Sequence, residues 1–353
     1  MASINVAEFR QRGSEMVQYV ANYLEHIGQR NVFPQISPGY LAPMIPKEAP
    51  EYPESWEDII SDVERVVMPG MTHWQHPRFH AYFPSGTSGP SMCADILANG
   101  LGCIGFTWAH SSVERAGLIS MLQLRQIRSN DKHEMTGEDL ERAINKDLAK
   151  GLMPFFCTAT LGTTGCCSFD RLEEVGKVCQ KYGIWLHVDA AYAGSAFICP
   201  EYRPWLNGIE YAMSFVFNAH KWLLVNFDCS CVWFKEVDWV IKSFNVDPTY
   251  LKHKHQGVVP DFRHWHIPLG RKFRSLKLWF ILRRFGVESL RNYIRNHINL
   301  AHQFESWMRA DGRFEIVHEV RLAVVCFRLM SIINFRSIAS RKCVRPDLIA
   351  ERM

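Results

Sequence analysis

Between Leu152 and Asp189 an apolar run, an amphipathic stretch and a second apolar run follow one another, and this order fixes the class of fold. Residues 152–161 (LMPFFCTATL) are apolar and bounded by Gly151 and Gly162. Residues 171–182 (RLEEVGKVCQKY) carry helical periodicity, Gly183 is a natural helix stop, and 184–189 (IWLHVD) read as another strand. Strand, helix and strand in so short a span make a β-α-β unit, whose right-handed crossover leaves the strands parallel. Both faces of a parallel sheet are covered, so continuous apolar strands are expected. Further strands are predicted at 212–217 (AMSFVF) and 229–234 (CSCVWF), and long helices over 276–310. The class is α/β.

The N-terminal part has a different texture. Residues 6–29 predict an amphipathic helix with Met16, Val20, Tyr23, Leu24 and Ile27 on one face. Six prolines between 33 and 53 predict extended chain, because each removes a donor and restricts its neighbour. Ser55 with Glu57 and Asp58 opens a second short helix that ends near Pro69-Gly70. Residues 1–85 therefore read as an arm of helices and extended chain, expected to lie on a partner subunit.

Composition narrows the function classes. At 353 residues and 47% hydrophobic content the chain can bury a large core without disulfides. A net charge of +4 is too small to mark a nucleic-acid or membrane-surface protein. The basic residues from Arg271 to Arg295 fall at helical spacing, which reads as a solvated or interface face. The eleven cysteines have no framework spacing and no C-x-x-C, so reduced thiols without a metal site are expected. No signal peptide and no run of about 18 apolar residues is found, which leaves a cytoplasmic, membrane-free protein as the expectation.

In open α/β sheets, ligands sit beyond the carboxyl ends of the strands. Three polar segments fall there. Leu161-Gly162-Thr163-Thr164-Gly165 follows the first strand, and its plain reading is a glycine turn. Asp189 ends IWLHVD and precedes the small residues Ala190-Ala191-Tyr192-Ala193-Gly194, so it is either a buried ion-pair partner or a cofactor contact. Asn218-Ala219-His220-Lys221-Trp222 follows AMSFVF. Lys221 in so apolar a neighbourhood is either a surface lysine at a strand end or a Schiff-base nucleophile.

Together these segments resemble the pyridoxal-phosphate-dependent group II decarboxylases, most closely the aromatic L-amino-acid (dopa) type. The matching text includes PGYLAPMIP, VVMPGMTHW, RFHAYFP, CIGFTWA, HSSVERAGLIS, ATLGTTGCCSFD, WLHVDAAYAGSAFICPE, FNAHKWLLVNFDCS, DPTYLKHKHQ and DFRHWHIPLGRKFRSLKLWF, across most of residues 7–329. The resemblance implies an aspartate-aminotransferase-like fold (fold type I), a mainly parallel sheet flanked by helices, and a homodimer. It implies that Lys221 carries pyridoxal 5'-phosphate covalently. Asp189 would pair with the pyridine nitrogen and keep the ring an electron sink. Ala191 would lie against the ring, His110 would stack on its other face, and Thr164, Asn218 and His220 would surround it. Tyr250, in the stretch 245–260, would sit on a mobile loop and protonate the substrate carbon. Trp74, Tyr82, Phe83, Pro84, Ser85 and Phe106 would line the pocket for an aromatic side chain. Gly270 resembles the dopa-type enzymes, where histidine-specific relatives usually carry serine, so L-dopa or 5-hydroxytryptophan is favoured over histidine or tyrosine.

The sequence departs from the family in two places. Ala109 is followed directly by His110, where the family continues through a glycine-rich phosphate cup. Each charge-assisted hydrogen bond lost with that cup is worth roughly 1.5–3 kcal/mol. The stretch 86–90 (GTSGP) reads as a turn before a helix at 91–98 rather than as a substitute. After Met330 the text no longer resembles the family's C-terminal domain. The expected organisation is an arm (1–85), a cofactor-binding domain (86–290) and a remnant with a basic tail (291–353). The competing expectation is a catalytically impaired form that pairs with a full-length subunit.

Overall fold

The computed structural model describes residues 4–81, 86–102, 112–246, 248–252 and 257–330. Its centre is a four-stranded sheet, β1 (Phe156–Thr160), β2 (Trp185–Asp189), β3 (Ser214–Asn218) and β4 (Ser230–Phe234), in that spatial order. The β1–β2 and β2–β3 pairings are parallel, and β4 closes the edge antiparallel to β3. All four strands fall where the apolar runs predict them. The crossover helix α6 (Leu172–Tyr182) ends on Gly183, which takes the left-handed conformation at φ +66°. Val175 and Cys179 of α6, Leu186 and Val188 of β2 and Ile294 from the long C-terminal helix meet in one buried core. Apolar burial of this kind stabilises by about 25 cal/mol per Å² removed from water.

The arm begins with α1 (Val6–His26), capped by the Asn5 side chain, which accepts from the Glu8 amide. The second helix α2 (Trp56–Asp62) starts on Ser55 as expected, and a wider π-helical turn (Val63–Val67) followed by a tighter 3-10 turn (Met68–Gly70) carries the chain to Gly70. Helix α3 (Gly89–Leu101) begins two residues earlier than predicted. Ser88 and Ser91 form a reciprocal cap and Pro90 occupies its first turn, which accounts for the GTSGP stretch without a ligand. Beyond it lie α4 (Ser112–Ser120) and α5 (Gly137–Leu148).

The C-terminal helix α9 (Arg274–Ala310) is broken at Gly286 (φ +72°, ψ 160°). There the arm crosses it. A Cβ on Gly286 would stand 2.5–2.8 Å from backbone atoms of Glu51, Tyr52 and Pro53. The break frees backbone groups to bond the arm: Val287 N–H donates to the Pro50 carbonyl (2.9 Å) and Glu288 N–H to that of Glu51 (3.0 Å). Arg283 pairs with Glu54 and Asp62, Arg284 with Glu8, Arg291 with Glu51 and Arg295 with Glu201. The basic stretch is thus an internal interface. The arm, expected on a partner, is bound in part by its own chain. A short hairpin, β5 (Phe314–Ile316) and β6 (Phe327–Leu329), follows α9. No helix among the described residues is long and apolar enough to cross a membrane.

Candidate active site

Register brings the three polar segments to one sheet edge. Thr160 stands opposite Asp189 and Asp189 opposite Val216, so the chain leaves β1, β2 and β3 on the same side. The loops are stitched together. Leu161 N–H donates to the Asp189 carbonyl (2.9 Å), and Asn218 N–H donates to that of Ala191 (3.0 Å). Gly162 (φ +83°) nests against Ala193, and a Cβ there would come within 2.8 Å of the Ala193 methyl. Gly194 packs so tightly on Phe217 that no side chain fits.

Asp189 is half-buried at the end of β2. Its Oδ1 accepts the Ala191 amide at 2.9 Å, which turns the carboxylate back over the loop. Lys221 lies in the single helical turn α7 (Ala219–Trp222). Its neighbours anchor that turn. Ala219 is fully buried, and Trp222 stacks on Tyr192 (4.8 Å, 11°) while its indole N–H donates to His297 Nδ1 (3.0 Å). Lys221 itself is exposed, which corrects the expectation of an apolar surrounding. The apolar residues beside it in sequence point away from it, into the core. The His220 ring turns toward β4, with Nδ1 accepting the Cys229 amide (2.9 Å) and Phe227 edge-on at 5.0 Å. Thr164 is exposed on the loop after β1, while Thr163 Oγ1 holds that loop by accepting from Ser168 N–H (2.9 Å).

Other assigned residues lie on other elements or outside the described residues. Trp74 is in the arm and leans on Phe79 (4.8 Å). Tyr250 is on the turn Thr249–Leu251, with its side chain outside the described set. His110, Phe106, Tyr82, Phe83, Pro84 and Ser85 lie outside the described residues. A cleft of about 590 Å³ opens elsewhere, lined by Phe169, Tyr202, Trp205 and Arg321, and none of the assigned residues borders it.

Sequence reasoning missed a polar chain behind Asp189. Trp185 Nε1–H donates to Ser214 Oγ (2.9 Å), which lies 2.8 Å from His187 Nδ1. The available signal was a histidine two residues before the aspartate, on the same strand face. The thiols behave as expected: Cys157, Cys167, Cys179, Cys199 and Cys229 are free and buried, and burial pushes the Cys167 thiol up to about 12.

A mainly parallel sheet flanked by helices, with the segments that carry Thr164, Asp189, Asn218 and Lys221 leaving its strands on one side, is the architecture of the fold type I class. The family model described as the pyridoxal-dependent decarboxylase conserved domain matches residues 38–111 and 109–330, and the chain belongs to this family. Aromatic-L-amino-acid decarboxylase of Cavia porcellus is 47% identical over 413 aligned positions, covering 92% of this chain and 86% of the relative. Among solved structures, Catharanthus roseus tryptophan decarboxylase in complex with L-tryptophan is 32% identical with a TM-score of 0.58, covering 94% and 86%. Rhodiola rosea 4-hydroxyphenylacetaldehyde synthase is 30% identical with a TM-score of 0.59, covering 92% and 85%.

The comparison also locates the internal departure. The 413 aligned positions outnumber the 353 residues of the chain, so the relative holds residues inside the matched span that this chain does not. The two matched family segments meet at 109–111, the Ala109–His110 junction. Pyridoxal phosphate, the family's cofactor, fits the described residues at its ring end. Asp189 offers an oxygen beyond the one held by Ala191, and Lys221 offers a solvent-accessible amine.

Proposed function

We propose that the chain decarboxylates aromatic L-amino acids, L-dopa or 5-hydroxytryptophan, to the amine and CO2. The observation that carries this reading is the joining of Asp189 and the Asn218–Lys221 turn at one sheet edge by register and loop hydrogen bonds. The identity to aromatic-L-amino-acid decarboxylases supports the substrate class. When bound, the cofactor supplies an electron sink for the pair left when carboxylate departs. Lys221 would hold it covalently. Asp189 would pair with the ring nitrogen and favour its protonated form. Ala191 would leave room for the ring, and Thr164, Asn218 and His220 would bound the site. By the resemblance, His110 would stack on the far face and Tyr250 would deliver the proton to the substrate carbon. Trp74, Tyr82, Phe83, Pro84, Ser85 and Phe106 would line the aromatic pocket. The reading places catecholamine and serotonin formation in the cytoplasm.

Residues 1–85 serve as the dimerisation arm of a homodimer, a role supported by the exposed Phe9, Val17 and Val20 on α1. Residues 86–290 form the cofactor domain and 291–353 the remnant that follows. Purified chain supplied with pyridoxal phosphate is expected to show the visible band of lysine-bound cofactor, to be labelled on Lys221 by borohydride, and to release dopamine from L-dopa. Absence of both the label and the amine overturns the proposal.

A second reading has its own observation. The family match breaks at Ala109–His110, and the resemblance assigns the phosphate cup to the residues missing there. On that reading the chain pairs with a longer relative and lowers its activity. Co-expression with a tagged full-length relative tests it, and recovery of none of this chain rejects it.

A further inference from the structure

Behind Asp189 on the same sheet face, Trp185, Ser214 and His187 form a hydrogen-bonded chain to which the reaction assigns no part. His187 precedes Asp189 by two residues on β2, so the two side chains share a face. Ser214 is the register partner of His187 on β3 and is only 5% exposed. The direction of the chain follows from its first member. An indole N–H can only donate, so the Ser214 oxygen accepts from Trp185 and the hydroxyl is oriented by that bond. His187 Nδ1 is the other partner within reach of the hydroxyl, and giving it the serine proton leaves no buried donor unused; in that arrangement Nδ1 accepts and the ring proton sits on Nε2. To accept a second proton, His187 would have to turn the Ser214 hydroxyl away from its one use in a buried place. Phe156 of β1 stacks on the ring (6.1 Å, 20°), and Trp239 from α8 (Val237–Phe244) covers Trp185.

We propose that the Trp185–Ser214–His187 chain holds His187 neutral, so that the Asp189 charge serves the cofactor's ring nitrogen alone. His187 is a positioning residue acting through Asp189, and the inference rests on the proposed cofactor role of that aspartate. A cationic His187 would be a rival partner for the carboxylate and would repel a cationic ring nitrogen. Burial pulls the His187 pKa down while Asp189 pulls it up, and Asp189 is the ionisable group that acts on it among the described residues.

The test uses the full chain labelled with ¹⁵N-histidine, without cofactor, with His187→Asn assigning the resonances. At neutral pH the His187 signals are expected to be those of a bare Nδ1 and a protonated Nε2. Trp185→Phe keeps the ring bulk but removes the donor that orients the Ser214 hydroxyl, so the oxygen can turn to accept from Nδ1–H. The imidazole titration is expected to move up by about one pH unit. The dissociation constant of pyridoxal phosphate is then followed against pH. In the unmodified chain it rises up to about tenfold on the acid side of the His187 titration. In Trp185→Phe that rise begins about one unit higher, and in His187→Asn it is absent. A proton on Nδ1, or a Trp185→Phe chain whose imidazole titration is unchanged, overturns the proposal. So does a cofactor pH profile identical in all three proteins. A chain that binds no cofactor at any pH overturns the function reading instead, and the imidazole spectra still decide the state of His187.

Discussion

Replacing Gly286 with alanine tests whether the arm and the long helix are one structure. The native backbone at Gly286, φ +72° and ψ 160°, is a region essentially reserved for glycine. Forcing alanine into it costs about 1–3 kcal/mol. The new methyl group also meets the Tyr52 carbonyl carbon at 2.5 Å, the Glu51 oxygen at 2.7 Å and the Pro53 nitrogen at 2.8 Å. These are backbone atoms, so no side chain can swing aside, and the arm itself must shift, at an overpacking cost of about 1–3 kcal/mol. Together the loss is about 2–6 kcal/mol. Urea unfolding followed by circular dichroism should show a lower midpoint, and limited proteolysis should cut first between Pro50 and Ser55. Gly13→Ala is the control. Gly13 lies inside α1 with nothing within 4 Å of a built Cβ, so alanine should stabilise by about 0.5–1 kcal/mol. If Gly286→Ala matches the unmodified chain in both midpoint and cleavage pattern, the crossing does not hold the arm, and the reasoning from the helix break fails.

Three further outcomes follow from the same structure. Asp189→Asn should weaken pyridoxal phosphate binding about 10- to 150-fold, from the roughly 1.5–3 kcal/mol of a charge-assisted hydrogen bond, with the unfolding midpoint little changed. Trp222→Phe removes the N–H that satisfies His297 Nδ1 and should cost about 1–3 kcal/mol in unfolding free energy while slowing borohydride labelling of Lys221. The N–H groups of Arg295 hold the Glu201 carboxyl down at about 2, against an ordinary 4.5. Because the folded value is the lower one, the stabilisation is present above pH 4.5 and is lost as pH falls toward 2. Glu201→Gln should remove that acid limb from the stability profile, and an unchanged limb would place it elsewhere.

How much was legible in the sequence depended on whether the determining contacts were local. The β-α-β unit is written in a continuous apolar run, a helical period and Gly183, all within one short stretch, and the strands fell where those signals lie. The placement of Asp189 and Lys221 beside strand ends was legible for a related reason: each ends or follows a strand, and a parallel sheet carries strand ends to one side whatever its register. The polarity of the Lys221 surroundings was not legible. Apolar neighbours in sequence do not surround a residue on a helical turn, and Ala219 and Trp222 are buried because they face away from it. Gly286 looked like an ordinary helix residue, since its requirement comes from a segment more than two hundred residues earlier that crosses at that point. His187 passed as an ordinary strand residue because its partner Ser214 is set by register between two strands.

The same distinction bears on what the Ala109–His110 junction does to the site. On the proposed reading the ring end would rest on contacts among β1, β2, β3 and the loops that leave them, all encoded after residue 150. None of those contacts passes through the junction, so the sheet edge that presents Asp189 and Lys221 stands without the missing residues. A cofactor held through its ring nitrogen and a covalent lysine, but short of charge-assisted bonds at its phosphate, keeps its chemistry while losing affinity. Each missing bond weakens binding by about 10- to 150-fold, at roughly 1.5–3 kcal/mol. The two functional readings therefore separate by concentration. If the ring end is as intact as its hydrogen bonds imply, raising pyridoxal phosphate well above the level that saturates a full-length relative should restore both the visible band and dopamine release. A chain that stays colourless and inactive at saturating cofactor would show that the junction damages the ring end too, and would leave the pairing role as the surviving function.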